Sequence, residues 1–298
     1  MPFSVRKITG RIGAVVDGVD FNAAPDPLII AGLREALNTH KALVFDGVDL
    51  DDDDQERVLG WFGDLTTAHP NLPAADGRTN VLAVDSESSK SNEWHTDVTF
   101  VVGPPQITSL RSLVTTPYGG ETLIANSAAA YRDLPEPLRA FADSLRAVHT
   151  NQYDYIRPAA TSEARRDHDR AFLATSYETE HPVVRVHPLT GERGLFIGGF
   201  VKRIVGLSAT ESAELLRIFQ SYVTRPENVL RWAWSPRQLL LFDNRITQHY
   251  AIDNYDDHPR LLHRVTVAGE VPVGVDGRRS EQLVGDASHF TRVAELVA

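Results

Sequence analysis

The sequence of 298 residues contains no cysteine and no long apolar run. The absence of cysteine excludes disulfide bonds, iron–sulfur clusters held by thiolates and zinc sites built on cysteine. A metal in this protein must therefore be held by histidine and carboxylate side chains. Because a spanning helix needs about 18 consecutive apolar residues and the chain does not open with a signal-peptide pattern, we expect no membrane segment and a cytoplasmic protein.

Positive charge is also scarce, since 30 lysines and arginines face 40 acidic residues and the formal net charge is −10. Nucleic-acid binding needs a basic face, so we expect no nucleic-acid partner. One or two buried arginines can still bind a small anion in an acidic protein. The hydrophobic fraction of 42% supports a sizeable core, and the length fits one large domain or two small ones.

Short apolar runs rich in valine and isoleucine recur along the chain and are bounded by Gly, Pro, Asn or Asp, a pattern typical of β-strands. The predicted strands are residues 11–16, 42–45, 80–84, 107–113, 183–186, 194–197, 238–242 and 261–267. Helical spacing of apolar residues predicts helices over 27–40, 51–62 and 208–223. We therefore predict a mainly β protein, an antiparallel double-sheet barrel of the jelly-roll or cupin-like type, with helices packed outside.

Two polar stretches need a separate interpretation. The acidic run 49–54 lacks the glycine and terminal glutamate of a calcium loop, so we interpret it as the first turn of a helix, stabilised by the helix dipole. Residues 153–181 are polar and only weakly periodic. We predict a long loop or lid there, because loops of that length in compact domains tend to be functional or disordered.

A His-x-Asp motif, His95-Thr96-Asp97, is the first candidate for metal binding. On a strand, residues 95 and 97 would point to the same face and bring an imidazole and a carboxylate together. Chance gives roughly 1.5 such pairs in a chain with 11 histidines and 40 acidic residues, so the motif alone is weak. His249, which follows a predicted strand, offers a third ligand. Two histidines and one carboxylate with open positions form the arrangement of non-haem iron(II) oxygenases.

Two arginines are the second candidate feature. Arg260 and Arg264 share one face of a predicted strand, so two guanidinium groups near the metal could bind a dicarboxylate, or a dicarboxylate and a second anion. Each residue alone is more often structural. Two other classes therefore stay open: a metal-dependent hydrolase that uses a zinc-bound water, and a cupin-like protein that binds a small anion.

At this point the sequence resembles the taurine dioxygenase family over nearly its whole length. The similar blocks are Ile-Gly-Ala at 12–14 through Gly-Val-Asp at 18–20, Trp-His-Thr-Asp-Val-Thr-Phe at 94–100, Tyr-Gly-Gly-Glu-Thr at 118–122, Ala-Ala-Tyr at 129–131, Glu-His-Pro-Val-Val-Arg-Val-His-Pro at 180–188, Asp-Asn-Arg at 243–245 with His249, and His-Arg-Val-Thr at 263–266. The resemblance implies a single double-stranded β-helix domain over 1–298, with Fe(II) on His95, Asp97 and His249. It also implies 2-oxoglutarate and O₂ as co-substrates.

The resemblance further implies roles for the residues around the metal. Thr122 and Arg260 would bind the distal carboxylate of 2-oxoglutarate. Arg264 would lie beside that co-substrate and face the sulfate or sulfonate of the primary substrate, and His69 would contact the same anion. The pocket wall would contain Val98, Phe200, Tyr153 and Tyr155. The implied reaction hydroxylates the carbon next to a sulfate ester or sulfonate. It releases an aldehyde with sulfate or sulfite, together with succinate and CO₂.

Departures from the family pattern restrict the range of expected substrates. Ser91 stands where taurine-specific members have an asparagine that contacts the amine, which disfavours taurine. Blocks 150–155 and 179–182 are similar to the actinobacterial alkylsulfatase branch. Phe242 replaces a common tryptophan, and the carboxylate of Asp97 argues against halogenation. Taurine, a non-sulfur carboxylate or a natural product remain alternative substrates, and relatives suggest a homodimer or homotetramer.

Overall fold

The computed structural model describes residues 3–24, 26–152 and 162–291. Within them lie sixteen strands: β1 (Ser4–Lys7), β2 (Ala14–Asp17), β3 (Ala42–Phe45), β4 (Leu82–Asp85), β5 (Ile107–Val114), β6 (Thr122–Asn126), β7 (Arg146–Thr150), β8 (Glu178–Pro182), β9 (Val184–Val186), β10 (Arg193–Leu195), β11 (Val201–Ile204), β12 (Val229–Trp232), β13 (Leu239–Asp243), β14 (Thr247–Ala251), β15 (Leu261–Val267) and β16 (Glu281–Val284). The six α-helices in the same residues are α1 (Pro27–His40), α2 (Asp52–Gly60), α3 (Ser127–Asp133), α4 (Glu136–Asp143), α5 (Glu163–Phe172) and α6 (Ala209–Val223).

The strands form one large sheet and three smaller ones. The large sheet has the order β1-β2-β3-β13-β5-β15-β4, and the smaller sheets are β11-β7-β8-β16, β12-β6-β14 and β10-β9. Most neighbouring strands are antiparallel, and the pair β2–β3 is parallel. The prediction of a mainly β, mainly antiparallel fold with flanking helices is confirmed.

The central strand β13 shows how the two faces of the large sheet are used. Leu239 and Leu241 belong to an apolar cluster with residues of α1 and α2. Leu240 and Phe242 belong to a different cluster, which also contains residues of the three-stranded sheet. Because side chains alternate along a strand, one face is covered by helices and the other faces the second sheet. The Phe242 ring lies 4.8 Å from the ring of His249 on β14, so His249 points into the space between the sheets.

The helix starts follow from capping residues in the sequence. Asp51 and Asp54 form a capping box at the start of α2, and three aspartates lie in its first turn. The interpretation of the acidic run as a helix start is therefore confirmed. Ser208 and Glu211 form the same motif at the start of α6. No helix in the described part of the chain is long and apolar enough to cross a membrane.

The sequence predicts a long loop or lid over residues 153–181, and the described part of this segment contains regular secondary structure. That part contains α5 and most of β8. Helix α5 has no buried side chain and is rich in charge, so it lacks the apolar stripe that identifies a helix in a sequence. Ser162 caps its start, since the Ser162 hydroxyl accepts a hydrogen bond from the backbone N–H of Arg165.

A buried histidine on β7 makes the stability of the fold depend on pH. His149 is 1% exposed, and its ring lies 5.4 Å from Phe196 and 4.8 Å from His181. Its Nδ1 lies 2.9 Å from the hydroxyl of Thr99. Burial lowers the pKa of His149 to about 3, because the interior cannot solvate an imidazolium ion.

We expect His149→Phe to reduce the acid sensitivity of the fold. An unfolded histidine has a pKa near 6.5, so between that pH and about 3 the unfolded chain binds a proton that folded His149 does not. The contribution of neutral His149 is complete above pH 6.5 and is lost as pH falls, by about 1.4 kcal/mol per pH unit. Urea unfolding between pH 6.5 and 4.5 should show a shallower loss in the variant, and equal slopes would contradict the assignment.

Candidate active site

Three side chains that could bind a metal meet between the sheets. Ligand atoms of His95, Asp97 and His249 all lie within 4.8 Å of one another. The Nε2 atoms of His95 and His249 are 3.9 Å and 3.8 Å from the same oxygen, Asp97 Oδ1. The two histidines are held together by their backbones, since each N–H donates to the other residue's carbonyl, at 3.0 Å and 2.7 Å. The structure thus brings together the three residues that the sequence proposed as ligands.

The local geometry differs from the strand that the motif suggested. His95 makes one bridge to His249, and a turn begins at Asp97 and continues through Phe100. Val98 has φ +54°, which is unfavourable for a β-branched residue and marks local strain. Asn244 secures the start of this turn: its Oδ1 accepts from the backbone N–H of Asp97 at 2.9 Å, and its Nδ2 donates to the Asp97 carbonyl at 3.2 Å.

The protonation states suit a divalent metal ion. Burial lowers the pKa of His249 to about 3, and His95 adds to this effect, so its imidazole is neutral at physiological pH. Burial alone would raise the pKa of Asp97, but the charge of Arg264, the two imidazoles and a hydrogen bond from Thr108 hold it below its usual value. His95 Nδ1 donates to the Glu93 carbonyl at 2.7 Å, which leaves Nε2 as the ligand atom. Two imidazoles and one carboxylate fit Fe(II) with open positions.

Arg264 lies directly against the candidate ligands. Its Nη1 donates to Asp97 Oδ1 at 2.6 Å, while Thr108 Oγ1 donates to Asp97 Oδ2 at 2.7 Å. Thr108 and Arg264 lie on neighbouring strands β5 and β15 of the large sheet. Both oxygens of the carboxylate are therefore oriented by the large sheet, and a cation stands beside the metal position.

Arg260 forms a second cationic position. It is 5% exposed, its Nε donates to the Gly120 carbonyl at 2.8 Å, and its Nη2 donates to Thr122 Oγ1 at 3.2 Å. Trp234 Nε1 donates to the same hydroxyl at 2.9 Å. A Cβ on Gly120 would lie 3.1 Å from Arg260 Cδ, so glycine makes room for the guanidinium. No carboxylate among the described residues forms an ion pair with Arg260, and a buried unpaired cation favours an anionic ligand.

His69 lies near this cationic region and is a neutral hydrogen-bond donor. Its Nδ1 accepts from the backbone N–H groups of Asn71 and Leu72, at 3.0 Å and 3.1 Å. Burial, with the nearby charge of Arg264, lowers the pKa of His69 well below its usual range. With Nδ1 occupied as an acceptor, the proton of the neutral ring is on Nε2. That N–H can donate to an anion without bringing a positive charge.

Aromatic rings form the wall next to His95 and His69. Phe200 lies 5.7 Å from His95 and 5.1 Å from Phe100, between ring centroids. Phe172, the last residue of α5, lies 5.4 Å from His69 and 5.9 Å from Phe100. Two further predicted wall residues, Tyr153 and Tyr155, lie outside the described residues.

Three contributors were missed by sequence reasoning. Thr108 and Asn244 orient Asp97, and Phe172 extends the aromatic wall. Asn244 is the middle residue of the Asp-Asn-Arg motif, whose outer members form a buried ion pair with each other, with Arg245 Nη2 2.6 Å from Asp243 Oδ2. The Asp-Asn-Arg motif was a usable signal for Asn244. Thr108 lies in ordinary strand sequence and Phe172 in a helix without an apolar stripe, so neither had such a signal.

Comparison with known proteins gives a consistent result. Residues 4–266 match the family model described as taurine catabolism dioxygenase TauD, TfdA family. An alpha-ketoglutarate-dependent sulfate ester dioxygenase of Pseudomonas putida is 47% identical, over 94% of both chains. An alkylsulfatase of Acinetobacter baylyi is 44% identical, over 93% of this chain and 88% of its own.

The fold agrees with that of a solved relative. A taurine dioxygenase from Burkholderia xenovorans superposes with a TM-score of 0.82 at 35% identity, covering 98% of this chain and 100% of its own. The predicted double-stranded β-helix class is thereby confirmed. The chain belongs to the taurine catabolism dioxygenase TauD, TfdA family.

Proposed function

We propose that the protein is an Fe(II)- and 2-oxoglutarate-dependent dioxygenase that cleaves sulfate esters. The observation that carries this proposal is the pair of buried arginines beside a two-histidine, one-carboxylate site. A hydrolase with a metal-bound water needs neither a second anion site nor Thr122 next to Arg260. A dioxygenase needs one position for a dicarboxylate co-substrate and one for its anionic primary substrate.

The residues of the site divide into three groups by role. His95, Asp97 and His249 would hold iron, which when bound supplies the activation of O₂ and the oxidation of the substrate. Arg260 and Thr122 bind the distal carboxylate of 2-oxoglutarate. The sulfate group of the substrate is bound by Arg264 and the Nε2–H of His69, and Val98 and Phe200 form the wall. Substrate contacts of Tyr153 and Tyr155, which lie outside the described residues, stay a prediction of the sequence.

The residues of the chain position the two substrates, and the iron, when bound, supplies the oxidation. A charge-assisted contact at each arginine fixes one anion, so the carbon next to the sulfate group is held beside the metal position. The aromatic wall of Phe200 and Phe100 keeps water from this carbon. Overall, sulfate ester, 2-oxoglutarate and O₂ give aldehyde, sulfate, succinate and CO₂.

The primary substrate class rests on Ser91 and on the relatives. Ser91 has φ +45° and its carbonyl accepts from the backbone N–H of Ala251 at 3.2 Å, so it lies beside β14 near the site. Its hydroxyl replaces the amide that taurine-specific members use for an amine. The names of the relatives from Pseudomonas putida and Acinetobacter baylyi support sulfate esters over taurine.

Succinate formation with Fe(II), ascorbate and 2-oxoglutarate tests the function. We expect medium-chain alkyl sulfates to stimulate it more than taurine, hexanesulfonate or a phenoxyacetate. Greater stimulation by taurine would contradict the interpretation of Ser91 and keep the enzyme class. An iron-loaded protein that forms no succinate under any condition would overturn the dioxygenase proposal.

We further propose that residues 1–298 form one catalytic domain and that the protein acts in the cytoplasm as a homodimer or homotetramer. The formal net charge of −10 supports the expectation of neither a nucleic-acid nor a membrane partner. Light scattering of the purified protein would determine the oligomeric state.

A further inference from the structure

The segment 179–187 contains buried polar residues for which the proposed reaction has no direct use. Thr179, His181 and His187 are each no more than 1% exposed. A buried polar side chain costs free energy unless it is hydrogen-bonded, so such residues are kept where their partners matter. The partners of these three side chains therefore indicate what the segment does.

Strand β8 directs two side chains at the turn that begins with Asp97. Thr179 and His181 are two residues apart, so they lie on the same face of the strand. Thr179 Oγ1 donates to the Phe100 carbonyl at 2.8 Å. His181 Nε2 donates to the Thr99 carbonyl at 2.7 Å. Two consecutive carbonyls of the turn are thus held by one strand.

His181 is a neutral donor in a fixed orientation. Burial, with the nearby ring of His149, lowers the pKa of His181 well below its usual range. Because a carbonyl can only accept, Nε2 carries the proton, and Nδ1 accepts from the hydroxyl of Ser280 at 2.6 Å. Both ring nitrogens are therefore engaged, and the ring is held between Ser280 and the turn.

His187 reaches the same turn through the Asp-Asn-Arg motif. Its Nδ1 accepts from two backbone N–H groups, at 3.2 Å and 3.1 Å, so the proton is on Nε2, which donates to Asp243 Oδ2 at 3.0 Å. Arg245 donates to both oxygens of Asp243, at 2.9 Å and 2.6 Å. Asn244 lies between these two residues, and its side chain holds the backbone of Asp97. His187 and Arg245 together therefore fix the segment that directs Asn244 at the ligand.

The backbone of Val98 explains why the turn needs contacts from outside. Val98 is β-branched and has φ +54°, and strain of this kind persists only where the surrounding structure over-determines it. Hydrogen bonds from Asn244, Thr179 and His181 hold the backbone on both sides of Val98. Without them the turn can relax, and the Asp97 carboxylate moves with it.

We propose that Thr179, His181 and His187 are positioning residues, which hold the strained turn so that the Asp97 carboxylate meets the two histidine ligands. They act through the backbone of the turn and through the Asp-Asn-Arg motif. This inference rests on the proposed iron site. Metal affinity is sensitive to such outer contacts, since loss of one costs about 10–100-fold.

A matched pair of threonine variants tests the proposal. Thr179→Val and Thr150→Val each remove one fully buried hydroxyl, from the neighbouring strands β8 and β7. Thr150 Oγ1 donates to the Tyr177 carbonyl at 3.0 Å, so its removal leaves the hydrogen bonds of the turn in place. The measurements are the affinity for Co(II) and the shape of its visible absorption spectrum, which reports the coordination of the ion. Urea unfolding without metal gives the stability of each variant.

We expect Thr179→Val to weaken Co(II) binding at least about tenfold and to change the Co(II) spectrum, because the turn relaxes. Thr150→Val should lose a similar free energy of unfolding and keep the affinity and the spectrum of the unchanged protein. Saturating iron should restore most of the succinate formation of Thr179→Val, since this variant still contains all three ligands.

Each histidine is tested by one conservative and one disruptive substitution. Glutamine can present an amide N–H in place of Nε2–H, whereas leucine has no donor. We expect His181→Leu and His187→Leu to weaken Co(II) binding at least about tenfold, and His181→Gln and His187→Gln to recover much of this loss. If the leucine variants do not fold, the pair of threonine variants decides the question.

The outcomes separate this inference from the proposed function. Equal Co(II) affinity and equal spectra in Thr179→Val and Thr150→Val would overturn the inference, because the segment would then serve folding alone. Folded leucine variants that bind Co(II) as tightly as the glutamine variants would overturn the role of the histidine N–H groups. If the unchanged protein binds neither Co(II) nor Fe(II), the ligand assignment and the proposed function fail, before any variant is considered.

Discussion

Replacing Asp97 by alanine is expected to abolish iron binding and reduce succinate formation to the level without enzyme. Asp97 supplies the only carboxylate of the ligand cluster, and its Oδ1 faces both histidine Nε2 atoms at 3.8–3.9 Å. The substitution also leaves Arg264 without its carboxylate partner, so an uncompensated cation would face the metal position. Two imidazoles next to an unpaired guanidinium form a poor site for a divalent ion.

Iron content after anaerobic loading and succinate formation are the two measurements. Thr108→Val is the matched control, because it removes the hydrogen bond to Asp97 Oδ2 and keeps the carboxylate. Loss of such an outer contact costs about 10–100-fold in metal affinity, so this variant should retain activity at high iron. An Asp97→Ala protein that is folded and nearly fully active with added iron would refute the ligand assignment.

The loss of stability in Asp97→Ala must be measured separately. Breaking a buried ion pair by removing one partner costs about 3–5 kcal/mol. Arg264 and Asp97 are both largely buried, at 9% and 1% exposure, so this range applies to their contact. A variant with both Asp97→Ala and Arg264→Met removes the stranded charge, and it should recover stability without recovering iron binding.

The sequence was sufficient for the elements that bury apolar side chains. Residues 42–45 and 261–267 were predicted as strands and are β3 and β15, because each has a run of branched or aromatic side chains packed on the core. The helix over 27–40 was predicted with its bounds, since Asp26 caps it and Pro27 opens it. Local pattern and tertiary packing agree in these segments.

Elements that carry the site were harder to predict from sequence. Strand β14 holds His249 and has the sequence Thr-Gln-His-Tyr-Ala, in which polar residues stand where an apolar pattern would mark a strand. Helix α5 is mostly charged, and its end is held by hydrogen bonds from Asn71 and Asn151 and by the ring contacts of Phe172. In β14 and α5, polar residues are needed for catalysis and for hydrogen bonds that hold the element in place. The apolar pattern that identifies buried strands and helices is therefore absent from their sequences.

The structure brings the residues of the ligand motif together, on a backbone that differs from the strand that the motif suggested. His95 and Asp97 do converge, but through a turn at Asp97 fixed by Asn244, which is 147 residues away in sequence. Such a contact depends on how distant strands are placed, and spacing within the motif cannot reveal it. The same is true of the approach of Arg264 to Asp97 across 167 residues.

Neutralising Arg264 and Arg260 in separate variants is expected to impair different substrates. Arg264→Gln should lower kcat/KM for alkyl sulfates by at least about thirtyfold, since truncating one partner of a buried charge pair costs about 2–5 kcal/mol. Succinate formed slowly without primary substrate should persist in that variant. Arg260→Gln should instead raise KM for 2-oxoglutarate by a similar factor, because Arg260 lies with Thr122 and has no carboxylate partner in the described residues.

Two controls make the comparison of the arginines decisive. Arg264 touches Asp97, so iron content must be equal in the compared proteins before their rates are interpreted. Lysine variants at both positions keep the charge and lose the planar fork, and partial recovery would show that charge and geometry both contribute. If Arg264→Gln with normal iron content also loses succinate formation without primary substrate, then Arg264 binds 2-oxoglutarate, and the sulfate group must be held by His69 and other residues.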